Sequence, residues 1–170
     1  DMSNPLGAFV MVLHGHIRYV LGHSTDPHGS AMLYEAAAET YIPLLWCLEE
    51  LEGRGIKANI TLSLSPITVE QLADERFKVW FEDYLREKMQ GAAEDEAQFR
   101  GGGEENHFSY LARELWHGRY RALLEAFVEG YNRDLVGAFR RMQEIGQIEL
   151  MTCGATHGYF PQLHEDVSIQ

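Results

Sequence analysis

Histidines follow two predicted strands of this chain at the point where each strand ends. His14 and His16 come directly after the apolar run Phe9–Leu13, and His157 follows the predicted strand Gln147–Thr152. Residues two apart on a strand point the same way, so His14 and His16 should project together. If the strands are parallel in one sheet, all three imidazoles meet at its carboxyl edge, where open sheets and barrels place their active sites.

Three converging imidazoles are compatible with two chemistries. They could hold zinc or another borderline metal, with water completing the coordination shell. As neutral rings they could instead hydrogen-bond the hydroxyls of a bound sugar and help to polarise a reacting centre. Glu149 is an acidic candidate, but a residue within a strand is expected to have a structural role. Cys153 lies four residues before His157 and is an alternative candidate for a nucleophile.

A loop after the first strand holds two further histidines. Leu21–Ser30 is dense in Gly, Ser, Asp, Pro and His, which predicts a loop at the same end of the sheet. His23 and His28 are expected to be solvated residues of this loop. The alternative is that the loop covers the site.

The elements that must position these side chains alternate between strand and helix. Phe9–Leu13 is an uninterrupted apolar run, typical of a strand buried on both faces. Asn59–Ser65 alternates apolar and polar residues and predicts the second strand, and Gln147–Thr152 predicts the third. The helical pattern Ala31–Leu51 joins the first two strands, which predicts a parallel βαβ unit. Pro43 should kink or split that helix. The fold class is therefore α/β, with three parallel strands and helical crossovers.

Further helices follow the second strand. Ser65 as cap, with Pro66 at the first helical position, predicts where the next helix begins. Thr68 and Gln71 offer a capping box as the alternative. The helical patterns cover Thr68–Ala73, Glu75–Gln90, Asn106–Glu129 and Leu135–Ile145. Gly91–Glu105 combines glycines with acidic residues and predicts a flexible surface link.

Composition and charge exclude some partners. The chain has 170 residues, with 14 basic against 26 acidic ones, giving a net charge of −12. This balance argues against nucleic-acid or anionic-membrane surfaces and is compatible with a neutral ligand such as a sugar. No apolar stretch is long enough to span a membrane, and the N-terminal residues do not resemble a signal peptide. Cys47 and Cys153 are expected to be free, buried thiols in a reducing cytosol, so a cytoplasmic location is predicted.

Five segments, in this order, resemble glycoside hydrolase family 57, and within it the 1,4-α-glucan branching enzymes. They are VLHGHIRYV (Val12–Val20), LYEAAAETYIPLL (Leu33–Leu45), TLSLSP (Thr61–Pro66), EQLAD (Glu70–Asp74) and GQIELMTCGATHGYFPQL (Gly146–Leu163). The resemblance implies that residues 1–170 are the N-terminal portion of an incomplete seven-stranded β/α barrel acting on α-glucans such as amylose, glycogen or maltooligosaccharides. It also implies a role in glycogen biosynthesis.

The resemblance further implies a mechanism and site roles. Such enzymes cleave an α-1,4 bond, hold the glucan on a Glu nucleophile and transfer it to a 6-hydroxyl, with an Asp as acid/base. Both carboxylates are expected beyond residue 170, so this chain alone is expected to be inactive. His14, His16 and His157 match motifs that line the subsite of the reacting sugar, and the family needs no metal or other cofactor. This favours substrate binding over metal binding.

Two departures and two competing functions accompany this resemblance. Arg18 stands where the family commonly has proline, and Met32 stands where several relatives carry an aromatic residue. A metal-dependent hydrolase or deacetylase using the three histidines is one alternative function, and a non-catalytic glucan-binding module is another. Three strands of an unfinished barrel also leave an exposed edge, which predicts self-association unless other segments cover it.

Overall fold

The computed structural model describes residues 7–23, 29–100 and 105–163. The strands within these ranges are β1 (Val12–Gly15), β2 (Ile60–Leu64) and β3 (Ile148–Met151). The α-helices are α1 (Ser30–Ala36), α2 (Ile42–Gly53), α3 (Pro66–Ala73), α4 (Glu75–Phe99), α5 (Glu105–Tyr110), α6 (Gly118–Glu125) and α7 (Leu135–Glu144). π-Helical segments at Ala37–Tyr41, Leu111–His117 and Ala126–Gly130 extend neighbouring α-helices, and a 3₁₀ turn covers Phe160–Gln162.

The strands form one parallel sheet in the order β1-β2-β3. In the register of the first pair, His14 lies opposite Ser63, and in the second pair Ser63 lies opposite Met151. Helices connect consecutive strands, as parallel pairing requires. The predicted α/β fold is therefore confirmed, and the carboxyl ends of all three strands lie at one edge of the sheet.

The prediction that the first strand is buried on both faces is wrong for this chain. Phe9 is 87% exposed, Val10 72% and Val12 51%. β1 is an edge strand, and side chains alternate between its two faces. Leu13 packs against the hydrophobic core, so Val12 and His14 point to the opposite face of the sheet. The long apolar run thus gives a strand that is covered on one face only.

The crossover helix between β1 and β2 accommodates a proline without a break. It runs from Ser30 to Gly53, and its central part is π-helical. The Ile42 amide donates to the Ala37 carbonyl, five residues earlier, which closes a π turn directly before Pro43. Proline lacks an N–H and clashes with the preceding turn of a regular α-helix. The helix is therefore not split at Pro43, and a π segment directly precedes the proline.

An aromatic cluster lies at the centre of the helical layer. Phe77, Phe81 and Phe127 are fully buried. The rings of Phe77 and Phe81 stack with centroids 5.2 Å apart, and Phe127 meets Phe81 edge-on at 4.8 Å. Leu62 and Ile148 of the sheet belong to the same core. The helices are therefore fixed against one face of the sheet, which in turn fixes the positions of the strand ends.

Helix α4 is longer than the sequence pattern predicts. It continues through Gly91 to Phe99, so the prediction of a flexible link from Gly91 onward is wrong for that part. One glycine inside a helix costs only about 1 kcal/mol, and the residues after it are alanine, glutamate, aspartate and glutamine, most of them good helix formers. Ala92 is also buried, which adds packing to this extension. Residues 101–104 lie outside the described part of the chain.

Both cysteines are free thiols, but the prediction that both are buried is wrong. Cys47 is exposed and Cys153 is half-buried. Cys47 lies on α2 between Trp46, which is half-buried at the margin of the core, and Leu48, which is buried.

Among the described helices, none is both long and apolar enough to cross a membrane.

Candidate functional site

The first turn of α3 organises the carboxyl edge of the sheet. Ser65 precedes this helix as its N-cap, and Pro66 is its first residue, as predicted. The Ile67 amide donates to the Ala155 carbonyl at 3.1 Å, which ties down the loop after β3. The Thr68 hydroxyl accepts from the Ile17 amide at 2.7 Å, which ties down the loop after β1. Both histidine-bearing loops are therefore held by the same helix start.

The structure brings the three predicted histidines together at this edge. The ring centroids of His14 and His157 lie 4.7 Å apart, those of His16 and His157 4.4 Å, and those of His14 and His16 6.5 Å. His14 Nε2 and His157 Nε2 are 2.7 Å apart, a hydrogen-bond distance. One of these two rings therefore donates its Nε2 proton and the other accepts it. We call His14, His16 and His157 the histidine rim.

The present arrangement of the rim does not fit zinc. Two imidazole nitrogens bound to one tetrahedral zinc at about 2.0–2.1 Å lie about 3.3 Å from each other. The 2.7 Å between His14 Nε2 and His157 Nε2 is too short for that geometry and fits a shared proton. Across the described ranges of the chain, no group of three or more His, Cys, Asp or Glu is arranged to hold a metal ion.

His16 is held from behind by a buried hydroxyl. Its Nδ1 lies 2.8 Å from Ser65 Oγ, and that oxygen lies 2.8 Å from Thr68 Oγ1. Partial burial, followed by the neighbouring His157 and His14 rings, lowers the pKa of His16 below its ordinary value. The chain thus favours a neutral imidazole at this position.

Thr68 and Gln71 do not form the capping box that was the alternative to Ser65, and the two side chains instead hold the loop after β1. Gln71 is buried, and its Oε1 accepts from the Val20 and Leu21 amides at 2.7 and 3.1 Å. Its Nε2 donates to the Ile17, Arg18 and Ile67 carbonyls at 3.1 to 3.2 Å. A buried glutamine with all its polar atoms paired fixes the chain directly after His16.

Sequence reasoning missed this supporting role, although a signal was present. Ser65, Thr68 and Gln71 are polar and three residues apart, so they share one face of α3. All three are nearly inaccessible to solvent. A polar stripe at helical spacing can cap its own helix or bond another segment, and only the packing of α3 on the β1 loop selects the second role.

The loop that carries His157 depends on one left-handed residue and on one glycine that packs against an aromatic ring. His157 itself is left-handed, with φ of 59°, and its amide donates to the Gly154 carbonyl at 2.9 Å. A Cβ placed at Gly154 would lie 2.6 Å from the Phe160 ring, so that ring packs directly on the glycine. A turn of this shape directs the His157 ring back towards β1.

Gly15 separates the two N-terminal histidines for a packing reason. A Cβ at this position would lie 2.7 Å from Leu64 Cδ2 and 3.3 Å from the Tyr41 hydroxyl. Burial raises the pKa of that tyrosine to about 12. The residues that approach the glycine are therefore core side chains of the protein itself.

The other sequence candidates lie in different settings. Glu149 accepts from the Thr61 hydroxyl at 3.3 Å across neighbouring strands, in keeping with a structural role. The Cys153 thiol donates to the Gly154 carbonyl at 3.6 Å. His23 packs edge-on against Tyr19, with centroids 5.8 Å apart. His28, the other histidine of the predicted loop, lies outside the described residues.

The two departures from the expected motifs are both placed in the structure. Arg18 lies in the loop after β1, where its carbonyl accepts from Gln71. Met32 is 37% exposed on α1.

Parallel strands joined by helices, with polar side chains at their carboxyl ends, define part of an enzyme-type β/α barrel.

Comparison with known proteins identifies the family. Residues 10–170 match the profile of glycosyl hydrolase family 57. The chain is 37% identical over 164 residues to a 1,4-alpha-glucan branching enzyme of Thermococcus kodakarensis, covering 96% of this chain and 23% of the relative. The chain therefore belongs to glycosyl hydrolase family 57.

Solved structures of relatives have the same fold. The GH57-type branching enzyme of Pyrococcus horikoshii superposes with a TM-score of 0.82 at 36% identity, over 92% of this chain and 28% of that one. The alpha-amylase AmyC of Thermotoga maritima superposes with a TM-score of 0.77 at 27% identity, over 89% of this chain and 28% of that one. The chain spans about a quarter of the length of these relatives.

Proposed function

We propose that residues 1–170 are the N-terminal portion of the catalytic barrel of a 1,4-α-glucan branching enzyme. We further propose that the histidine rim binds the reacting sugar of an α-glucan. The observation that carries this proposal is the meeting of His14, His16 and His157 at the carboxyl edge of the sheet. The similarity to two branching enzymes supports the choice of reaction within the family.

Neutral imidazoles suit a neutral polyhydroxyl ligand. Each ring has one N–H donor and one acceptor nitrogen, so a group of rings can both donate to and accept from sugar hydroxyls. The net charge of −12 leaves the chain poorly suited to an anionic ligand or to nucleic acid. The exposed rings of the rim lie where a glucan can reach them.

The reaction follows the retaining scheme with two carboxylates. A Glu attacks the anomeric carbon as the α-1,4 bond breaks, and an Asp protonates the leaving oxygen. The same Asp then deprotonates the 6-hydroxyl of an acceptor glucan, which displaces the Glu and forms the branch. In this proposal both carboxylates lie beyond residue 170, so the present chain supplies part of the sugar-binding surface and no turnover.

A binding experiment tests the role of the rim. Maltotetraose is titrated calorimetrically into the 170-residue chain and into His14→Ala, His16→Ala and His157→Ala. Each variant loses one neutral hydrogen bond of about 0.5–1.5 kcal/mol, so Kd should rise about two- to tenfold. His107→Ala is the matched control, because His107 lies on α5 and packs on Phe108. Equal affinities in all four variants would contradict the proposal, and zinc bound stoichiometrically by the rim would favour a metalloenzyme.

A turnover experiment tests the absence of the catalytic pair. Amylose is incubated with the chain, and branching is followed by iodine staining and by chain-length analysis after debranching. We expect no branching and no release of reducing ends. Turnover that persists in a preparation free of other glucan-active enzymes would show that the reactive carboxylates lie within these residues.

Three further properties belong to this proposal. A branching enzyme of this kind acts in glycogen biosynthesis, in the cytoplasm.

The chain should also self-associate through the open edges of its sheet, where Val10 and Val12 of the first strand region and Met151 of β3 are exposed. Light scattering coupled to size exclusion should give a mass above 19.4 kDa that falls on dilution. A strictly monomeric chain at high concentration would refute this part.

A further inference from the structure

Two hydroxyl groups, hydrogen-bonded in series, connect the histidine rim to the backbone of the loop after β1. His16 Nδ1, Ser65 Oγ and Thr68 Oγ1 follow one another at 2.8 Å each. Thr68 Oγ1 also lies 2.7 Å from the Ile17 amide nitrogen and 3.3 Å from the Ile17 carbonyl oxygen. Ser65 and Thr68 are fully buried, so water does not compete for their protons.

The backbone groups beside Thr68 favour one direction for the protons of these hydroxyls. The Ile17 amide is always a donor, so it occupies one lone pair of the Thr68 hydroxyl. The Ile17 carbonyl is always an acceptor and lies 3.3 Å from Thr68 Oγ1, so it offers the Thr68 proton a partner that leaves the Thr68 oxygen free to accept from Ser65. Thr68 can then only accept from Ser65. Ser65, having donated its one proton, can only accept from the imidazole, which must carry its proton on Nδ1.

We propose that Ser65 and Thr68 are positioning residues that hold neutral His16 in its Nδ1–H tautomer, so that Nε2 offers a bare acceptor to a hydroxyl of the bound ligand. The ligand class follows from this polarity. A group that meets Nε2 of His16 must donate a proton, as an uncharged sugar hydroxyl does. The identification of that hydroxyl as part of an α-glucan rests on the proposed function, whereas the tautomer does not.

Two features of the rim agree with this assignment. Partial burial and the neighbouring rings lower the pKa of His16, so the ring is neutral at physiological pH and has a single N–H to place. The other two histidines already share a proton between their own Nε2 atoms. Their Nε2 atoms are thereby occupied with each other, whereas His16 Nε2 in the Nδ1–H form keeps its lone pair for a ligand.

The tautomer is read directly by long-range ¹H–¹⁵N correlation spectra of the chain labelled at histidine. His16→Gln assigns the His16 signals among the eight histidines by their loss. We expect a pyrrole-like Nδ1 and a pyridine-like Nε2 at pH 7.5. A pyrrole-like Nε2 in the unsubstituted chain would overturn the proposal without any variant being needed.

A matched pair of variants tests the relay. Thr68→Val keeps the shape but removes the acceptor for the Ser65 proton, which frees Ser65 to donate to Nδ1. The His16 population should then change from mainly Nδ1–H to mainly Nε2–H. Thr68→Ser keeps the hydroxyl and should retain the Nδ1–H form. Backbone amide spectra show whether Thr68→Val folds, and a folded Thr68→Val with an unchanged tautomer refutes the relay.

The maltotetraose titration separates this proposal from the proposed function. These spectra are recorded without sugar, so an Nδ1–H tautomer in a chain that binds no maltotetraose would leave the relay standing and remove the glucan-binding role. If the chain does bind, Thr68→Val should weaken binding about two- to tenfold, as expected for one lost neutral hydrogen bond, and Thr68→Ser should not.

Discussion

Replacing the buried Gln71 with leucine should be strongly destabilising, although this polar side chain does not belong to the hydrophobic core. Gln71 is 1% exposed and joins α3 to the loop that follows His16. Its Oε1 is a shared acceptor for the Val20 and Leu21 amides. Leucine has a similar size and no polar atoms, so Gln71→Leu removes these bonds while largely preserving the packing volume.

The size of the effect follows from the groups left unpaired. Each buried N–H without a partner costs about 1–3 kcal/mol, so the Val20 and Leu21 amides together account for about 2–6 kcal/mol. The carbonyls of Ile17 and Arg18 also lose a donor, which adds to this sum. Domains of this size are stable by about 5–15 kcal/mol, so the variant should lose a large share of its stability.

Urea unfolding followed by circular dichroism measures this loss, and hydrogen exchange of the Val20 and Leu21 amides locates it. Gln90→Leu is the matched control, because the Gln90 amide donates to Glu94 at the surface of α4. The control should remain within about 0.5 kcal/mol of the parent chain. The reasoning is refuted if Gln71→Leu lies within about 1 kcal/mol of the parent and both amides remain protected.

Three further predictions follow from the rim and the core. The pKa of His16 should lie below its ordinary value of 6.5 by NMR, and His157→Ala should raise that pKa by removing a neighbouring imidazole. The unfolded chain then binds the extra proton first, so stability should rise with pH between the folded and unfolded pKa values, and a flat profile there would count against it. Phe81→Ala should lower the unfolding free energy by about 3–5 kcal/mol, measured in urea, because that ring is fully buried; a loss under about 1 kcal/mol would contradict the packing. Gly154→Ala should displace the exposed Phe160 ring and change its NMR resonances with less than about 0.5 kcal/mol of destabilisation, whereas unchanged resonances would show that the ring does not pack there.

The strand–helix order and the edge that carries the histidines could both be predicted from the chain. The apolar period of two in Asn59–Ser65 and the helical period of Ala31–Leu51 are local properties, and parallel pairing follows from the length of the crossover. The family resemblance was confirmed by the match of residues 10–170. The binding role of the three histidines stays a prediction for the titration above to test.

Errors arose where burial depends on neighbours that periodicity does not reveal. Phe9 and Val10 form an apolar run, but whether such a run is covered depends on its place in the sheet. The local pattern treats Gly91 as a helix breaker and so ends α4 too early, whereas the helix continues to Phe99 with Ala92 buried.

By itself the sequence determined which residue types reach the carboxyl edge, because strand direction and side-chain alternation are built into the backbone. Tertiary structure alone decided that His14 and His157 share a proton and that Ser65 hydrogen-bonds to His16, since these contacts join residues far apart in the chain. It also decided that Gln71 clamps the loop after β1 instead of capping its own helix. A polar side chain bonds whichever buried partner packing brings to it, and packing is a property of the whole fold.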